Sequence, residues 1–188
     1  MTDIMIRGFY SAMLGALSSQ NRLDINANNI ANSQTTGYKT QTASFSDTLY
    51  ANLEDKINIG SGIRQTETAI KMTQGSRTQT GEKYDFAIDG DGFFAIGNKN
   101  DDIYYTRSGN FSVSVENDGN FLVTADGEKV LDSNLNEIQL LDGELSNLPG
   151  IFNFANSYAL KPTGDCRYIA TNASGEAAPN YDSSVYQG

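Results

Sequence analysis

The sequence predicts an α+β chain that is mainly β, with a long N-terminal helix, an extended connector and an antiparallel body of barrel or sandwich type. Three observations carry this expectation. A seven-residue repeat runs from Ile6 to Ile30, a stretch rich in Gly, Ser, Thr and Gln covers 58–81, and short apolar runs alternate with glycine-centred turns from Lys83 onward. On this pattern residues 1–55 form a helical assembly arm, 56–82 a connector and 83–188 a β-rich body.

In the first element, apolar or small residues recur at Ile6, Phe9, Met13, Ala16, Gln20, Leu23, Ala27 and Ile30, at alternating spacings of three and four. A straight α-helix drifts off a seven-residue repeat, so a seam held for more than three heptads implies packing along its length against partner helices. Gln20 is its single polar member, and a buried amide there would specify register. Gly8, Ala12, Gly15 and Ser19 line the flank, admitting a close neighbour while weakening the isolated helix. Two readings stay open at this level: the helix covers its own domain, or it packs against other helices. Asn26, Asn28, Asn29 and Asn32 favour caps over helix interiors, and 33–37 reads as a stop, placing the break near residue 32 with Gly37 able to take a positive φ.

Phe45, Leu49, Tyr50 and Leu53 suggest one or two further helical turns, and alternation around Thr66, Thr68, Ile70 and Met72 suggests a strand. The body then reads as strands at 85–89, 93–96, 103–107, 110–115, 121–124 and 130–131. Turns at 90–92, 117–119 and 126–127 separate them, with a loop at 98–102. Phe111, Val113 and Val115 alternate with Ser112 and Ser114, predicting one buried and one wet face.

Composition restricts the chemistry. The 188 residues include no histidine and a single cysteine, Cys166, so an intrachain disulfide, the usual structural zinc sets and most nucleophile-plus-base pairs are excluded. Cys166 has no histidine to activate it and reads as a packed or surface residue, and Arg107 as a salt-bridge partner rather than an anion hook. Asp89, Asp91 and Asp118 beside glycines lack the spacing of a calcium loop and read as turn residues. A glycosidase-like carboxylate pair would arise by number alone among sixteen body acids. No cofactor is expected.

The net charge of −10 is uneven: 1–50 is neutral, 56–83 carries five basic against two acidic residues, and 84–188 carries five against sixteen. An acidic body repels nucleic acid and anionic lipid and favours a protein partner. The basic connector either faces an acidic neighbour or is a solvated linker. Arg7 through Leu17 with Ala16-Leu17-Ser18 imitates a signal peptide, but Asp3 spoils the basic start and the helical pattern continues past the supposed cut. No apolar run approaches the roughly 18 residues of a membrane helix, so no membrane insertion is expected.

The run Asn28-Asn29-Ile30-Ala31-Asn32-Ser33-Gln34-Thr35-Thr36-Gly37-Tyr38-Lys39 resembles the N-terminal signature of the flagellar basal-body rod and hook proteins. The body is similar to their core in order and spacing: Asp85-Phe86-Ala87-Ile88 with Gly90, Gly92, Phe93 and Phe94, then Tyr105-Thr106-Arg107, Gly109 and Phe111, then Gly119, 121–124 and Gly127. Phe154-Ala155-Asn156, Leu160, Gly164-Asp165 and Ser174-Gly175 resemble the segment that precedes the family's C-terminal helix. The resemblance implies a structural axial subunit of the flagellar rod, not an enzyme, that polymerises through its N-terminal helix. It implies as partners copies of itself, other rod and hook axial proteins and the flagellar export apparatus, and a location in the basal body after export without a cleaved signal.

The sequence departs from the family in two places. The sequence stops at Tyr186-Gln187-Gly188, about where the family's second long helix would begin, as expected of a truncated chain or a short member, and 131–154 is short where a distal rod protein carries extra residues. The competing reading is an extracellular β-domain that binds a ligand and is dimerised by its helix. The heptad arm joined to the asparagine signature favours the rod subunit.

Overall fold

The computed structural model describes residues 2–188 apart from 49–50, 54–56, 60–61, 98–101 and 142. It contains two compact units, 1–34 with 40–71 and 35–39 with 72–188.

In the first unit, α1 spans Thr2–Ala31, where few β-branched residues oppose a helix. It ends as Asn32 N donates to the Asn28 carbonyl (3.1 Å) and Ser33 N to the Ile30 carbonyl (3.1 Å), tightening the last turn. Strand β1 (Gln41–Asp47) pairs antiparallel with β4 (Ile63–Ile70), from Gln41 opposite Ile70 to Asp47 opposite Ile63, with a bulge at Ser44/Phe45. Between them β2 (Ala51–Leu53) and β3 (Ile57–Ile59) form a separate short pair. The helical turns expected around Phe45 and Leu53 are therefore strands, while Leu49 and Tyr50 lie outside the described residues. The Thr- and Ser-rich surroundings of Phe45 are poor helix formers, and β4 supplies the partner that an extended segment needs.

The helix lies on this β1–β4 pair through a narrow stripe of serines and an asparagine with Leu14 and Ile25. Ser18 is buried and Ser11, Leu14, Gly15, Ile25 and Asn29 are half-buried. A Cβ on Gly62, at the start of β4, would sit 3.3 Å from the Ser11 hydroxyl. The helix does cover its own unit, but with a face other than the predicted seam.

The second unit is built around β6 (Phe93–Gly97). Its main sheet runs β12 (Glu144–Leu145), β11 (Gln139–Leu141), β9 (Gly119–Val123), β10 (Lys129–Val130), β6, β7 (Ile103–Thr106), β15 (Arg167–Ile169), β14 (Lys161–Gly164). Strand β8 (Ser112–Glu116) adds to β9, β13 (Ile151–Asn153) to β6 and β16 (Ala178–Pro179) to β13. A separate pair joins β5 (Phe86–Asp89) to β17 (Ser184–Gln187). Phe86 and Ile88 of β5 pack into the same core as Phe94, Ile96, Phe111, Leu122, Val130 and Ile151, so the body is sandwich-like and is not a closed barrel.

Phe93, Phe94, Ala95 and Ile96 of β6 are all buried, which is the reason the strand reads as a continuous apolar run. Phe94 stands edge-on to Phe111 (5.3 Å), and Phe111 lies 6.1 Å from Phe86. Phe93 meets Tyr168 (5.5 Å) and Phe154 (6.0 Å), and Tyr105 meets Phe154 (4.8 Å) and Phe152 (6.1 Å). Two aromatic clusters thus flank one strand, each pair adding about 0.5–1.5 kcal/mol beyond burial.

The expected alternation along 111–115 does not hold. Phe111 is buried and Val113 half-buried, but Val115 is 80% exposed, because β8 is laddered to β9 alone among the described strands and its far end has no opposing layer. Phe94→Ala should therefore cost about 4 kcal/mol in chemical denaturation, as deletion of a buried ring does. Val115→Ser should stay within about 0.5 kcal/mol of the parent in the same experiment.

Candidate assembly surface and signature segment

All eight predicted seam residues of α1 are exposed. Ile6 is 58%, Phe9 72%, Met13 39%, Leu23 67% and Ile30 73% accessible, and Ala16, Gln20 and Ala27 are exposed as well. The seam and the stripe at Ser11, Leu14, Ser18, Ile25 and Asn29 lie about 180° apart at 3.6 residues per turn. Tyr10 and Leu17 extend the exposed apolar surface. A Cβ on Gly8 or Gly15 would meet nothing within 4 Å, so the small-residue flank is unused within this unit. Among the described residues the helix meets its own hairpin through a stripe whose large apolar members are Leu14 and Ile25, and leaves Phe9, Leu23 and Ile30 in water. An apolar stripe of that length is the mark of an interaction surface.

The asparagine signature divides between the two units. Asn29 Nδ2 donates to the Gln41 carbonyl (2.8 Å) and its Oδ1 accepts from Gln41 N (3.0 Å), so the amide pairs with β1 as a neighbouring strand would. Asn21 Nδ2 donates to Gln65 Oε1 (3.2 Å) on β4. Asn32 Nδ2 donates to the Asn28 carbonyl (3.0 Å) and to Asn28 Oδ1 (3.2 Å), closing the helix end. Ala31 is the last helical residue and is exposed, as is Thr36 in the turn that follows.

Gly37 to Lys39 belong to the body. Gly37 has φ +75°, and a Cβ there would lie 2.5 Å from Ser108 N, so both conformation and space demand glycine. Lys39 is buried and donates from Nζ to the Thr73 carbonyl (2.8 Å). Burial and then the Arg107 guanidinium push its ammonium pKa down, with Asp91 opposing. Gly90 and Gly92 form the turn between β5 and β6, and Asn180 and Ser183 donate to the Asp91 carbonyl (2.7 Å each) across it. Phe93 and Phe94 are the centre of β6 described above.

Arg107 forms no ion pair among the described residues. Its Nη1 donates to Gln74 Oε1 (3.0 Å), its Nη2 to the Gly90 carbonyl (3.0 Å), and its guanidinium lies over the Phe93 ring at 5.3 Å. The salt-bridge expectation fails because backbone and amide oxygens occupy the fork. Asp89 is bound to Arg77 at 2.5 Å, and Cys166 is half-buried with its thiol pKa pushed up by burial and Asp165. No group of three or more Cys, Asp or Glu is arranged for a metal among the described residues, and no described helix is long and apolar enough to cross a membrane.

Sequence reasoning missed Gln41, Thr73 and Gln74, whose roles lie in backbone carbonyls and an uncharged amide that leave no pattern. It also missed the covered stripe at Ser11, Leu14, Ser18 and Ile25. That stripe has heptad spacing, but it carries too few apolar groups to stand out beside the seam.

Gly37→Ala should cost about 2 kcal/mol, from left-handed strain and overlap with a neighbouring backbone, when measured by denaturant titration. Tyr168 provides a pH test. Burial, followed by Cys166 and Tyr38, pushes its hydroxyl up from 10.0 to about 12, against Arg107. A raised pKa favours the protonated form, so its stabilisation is complete below about pH 10 and is lost as pH rises to about 12, amounting to about 2–3 kcal/mol. Tyr168→Phe should accordingly flatten the fall in denaturation midpoint between about pH 10 and about pH 12.

The geometry can be set against known proteins. Residues 9–39 match the family described as flagella basal body rod protein, and residues 87–165 the family described as flagellar hook protein FlgE/F/G D1 domain. The chain is 34% identical over 202 aligned positions to the flagellar basal-body rod protein FlgG of Agrobacterium fabrum, covering 90% of this chain and 76% of that protein. It is 33% identical over 209 positions to FlgG of Bacillus subtilis, covering 93% and 77%. Similarity to the flagellar hook protein FlgE of Escherichia coli is 36% over 105 positions, or 56% of this chain and 25% of that protein. A rod-type signature closing α1, followed by a hook-and-rod body, with likeness to rod proteins over nine-tenths of its length, makes this chain a member of the flagellar basal-body rod and hook protein family.

Proposed function

We propose that the chain is a structural axial subunit of the flagellar basal-body rod that polymerises through the exposed seam of α1. The observation that carries this reading is the two-faced helix: one side is engaged by its own hairpin, and the side with Phe9, Leu23 and Ile30 is left in water. Covering each large seam residue is worth about 2 kcal/mol, so a few engaged positions per subunit suffice for specific association. Gln20 selects among possible registers, since an amide buried out of register would lack a partner. In this division of labour residues 1–55 act as the assembly arm, 56–82 as the connector and 83–188 as the body.

The role is mechanical rather than catalytic, and the partners are copies of this chain and other axial proteins. The flagellar export apparatus would carry it to the basal body without signal cleavage. In support, Ala16-Leu17-Ser18 lies inside α1 with Ser18 buried against the hairpin, so a cut there would destroy the arm.

Leu23→Asp and Ile30→Asp test the seam. Both residues are exposed, so the purified variants should denature within about 0.5 kcal/mol of the parent. The same substitutions in cells should abolish swimming and leave basal bodies without complete rods by electron microscopy. Normal swimming in both variants would remove the seam from the interface. Deletion of the whole gene with rods intact would remove the rod assignment itself.

A further inference from the structure

The segment that follows the helix and the segment that follows β4 are held at one place on the body. Gly37 backs onto Ser108. Ser108 N donates to Thr106 Oγ1 (3.0 Å), whose hydroxyl donates to the Cys166 carbonyl (3.1 Å). Two residues after Gly37, Lys39 Nζ reaches the Thr73 carbonyl. The adjacent Gln74 donates from Nε2 to the Ile88 carbonyl (2.7 Å) and accepts from Arg107, whose second arm holds the Gly90 carbonyl.

Two stretches of chain separated by 34 residues therefore depend on one ammonium and one guanidinium. Each cation donates to uncharged oxygens, and among the described residues neither forms an ion pair, although the nearby Asp91 carboxylate favours the charged form of both. A half-buried pair of like charges is favourable only while every carbonyl that solvates it stays in place. Withdrawing 73–74 strips an oxygen from each cation, the Thr73 carbonyl from Lys39 and the Gln74 amide oxygen from Arg107, so release of that segment loosens the hold on both.

We infer that Gly37–Lys39, Thr73–Gln74 and Arg107 form a single latch that opens and closes as a unit, clamping at one point the two places where the chain enters the body. When the latch is closed, the carbonyls of Thr73 and Gly90 are satisfied by side chains and the post-helix segment is immobile. When it is open, water replaces those bonds, Lys39 and Arg107 regain hydration, and the two aromatic clusters remain packed behind it. This inference does not rest on the assembly reading.

Cys166, the sole cysteine, reports the state of the latch because its carbonyl accepts from Thr106, which in turn holds the Ser108 amide that Gly37 packs against. In the full-length chain, the rate of thiol labelling by an aromatic disulfide reagent is measured for the parent, Gln74→Ala, Lys39→Met and the double variant, with near-ultraviolet circular dichroism as the check on the core. Loss of one such hydrogen bond corresponds to about a tenfold change in an opening equilibrium, so each single variant should label about tenfold faster with the core signal unchanged. The double variant should label about a hundredfold faster than the parent, because both bonds break in the one opening step and their contributions to it multiply.

A double variant no faster than the faster single one would show separate tethers, either of which uncovers the thiol alone, and would overturn the inference. Unchanged rates in both single variants would overturn it as well. Gln74 is exposed, so its variant leaves the core intact. If Lys39→Met does not fold, Arg107→Lys, which keeps the charge and loses the fork, replaces it in the cycle with the same expectations.

Discussion

The body depends on the two-sided burial of β6. Phe94 and Ile96 close one cluster with Phe86, Phe111 and Val130, while Phe93 anchors another with Phe154 and Tyr168. A strand buried on both faces can neither slip register by one residue nor lose a neighbouring layer without exposing rings on one side. The strands on either side follow from this: β7 and β10 extend the sheet from its edges, β13 pairs at its start, and β5 supplies the lid over the Phe94 face. Gly92, at φ +140°, precedes it because a side chain there would overlap Ile151 of β13.

The same strand sets the electrostatics around the signature. Phe93 presents its ring to Arg107, which holds the guanidinium against an apolar plane while its fork collects the oxygens of Gln74 and Gly90. Lys39 completes a second such contact with Thr73. The acidic excess of the body, which dominates the overall charge, has little part in this. Arg167 instead uses Glu128 and Asp165 (2.8 Å each), and Lys129 uses Glu137 (2.7 Å) while lying 3.9 Å from the Phe121 ring centre. These partly exposed pairs are individually worth little and serve more to orient loops than to stabilise the fold.

The first unit follows a different logic. Its helix is held by hydrogen bonds from Asn21 and Asn29 and by a narrow stripe with Leu14 and Ile25, so the seam's apolar groups are not consumed in building its own unit. Hydrophobic burial normally dominates the attachment of an amphipathic helix. Here polar attachment and apolar exposure coexist on one helix, an arrangement suited to a subunit whose main burial occurs on assembly. Asn29 is central to it because an amide can satisfy both the donor and the acceptor of a strand residue, which no apolar side chain could do.

Much of this was legible in the residues themselves. The helix and its end near residue 32, a strand through Thr66, Thr68 and Ile70, the positive φ of Gly37 and nearly every strand of the body from Phe86 to Val130 followed from periodicity and turn chemistry, which act over a few neighbouring residues. The failures came where a distant partner decided. Phe45 became a strand because β4 was available to pair with it, Val115 lost its burial because no layer opposes the end of β8, and Arg107 bonded to oxygens contributed by Gln74 and Gly90 rather than to a carboxylate. The sequence by itself determined where elements lie and which residues are apolar, because local propensity and spacing are written in adjacent positions. Only the tertiary structure decided which face of α1 is covered and where the signature is anchored, because those outcomes depend on backbone groups brought together from far along the chain, and backbone groups are the same at every position.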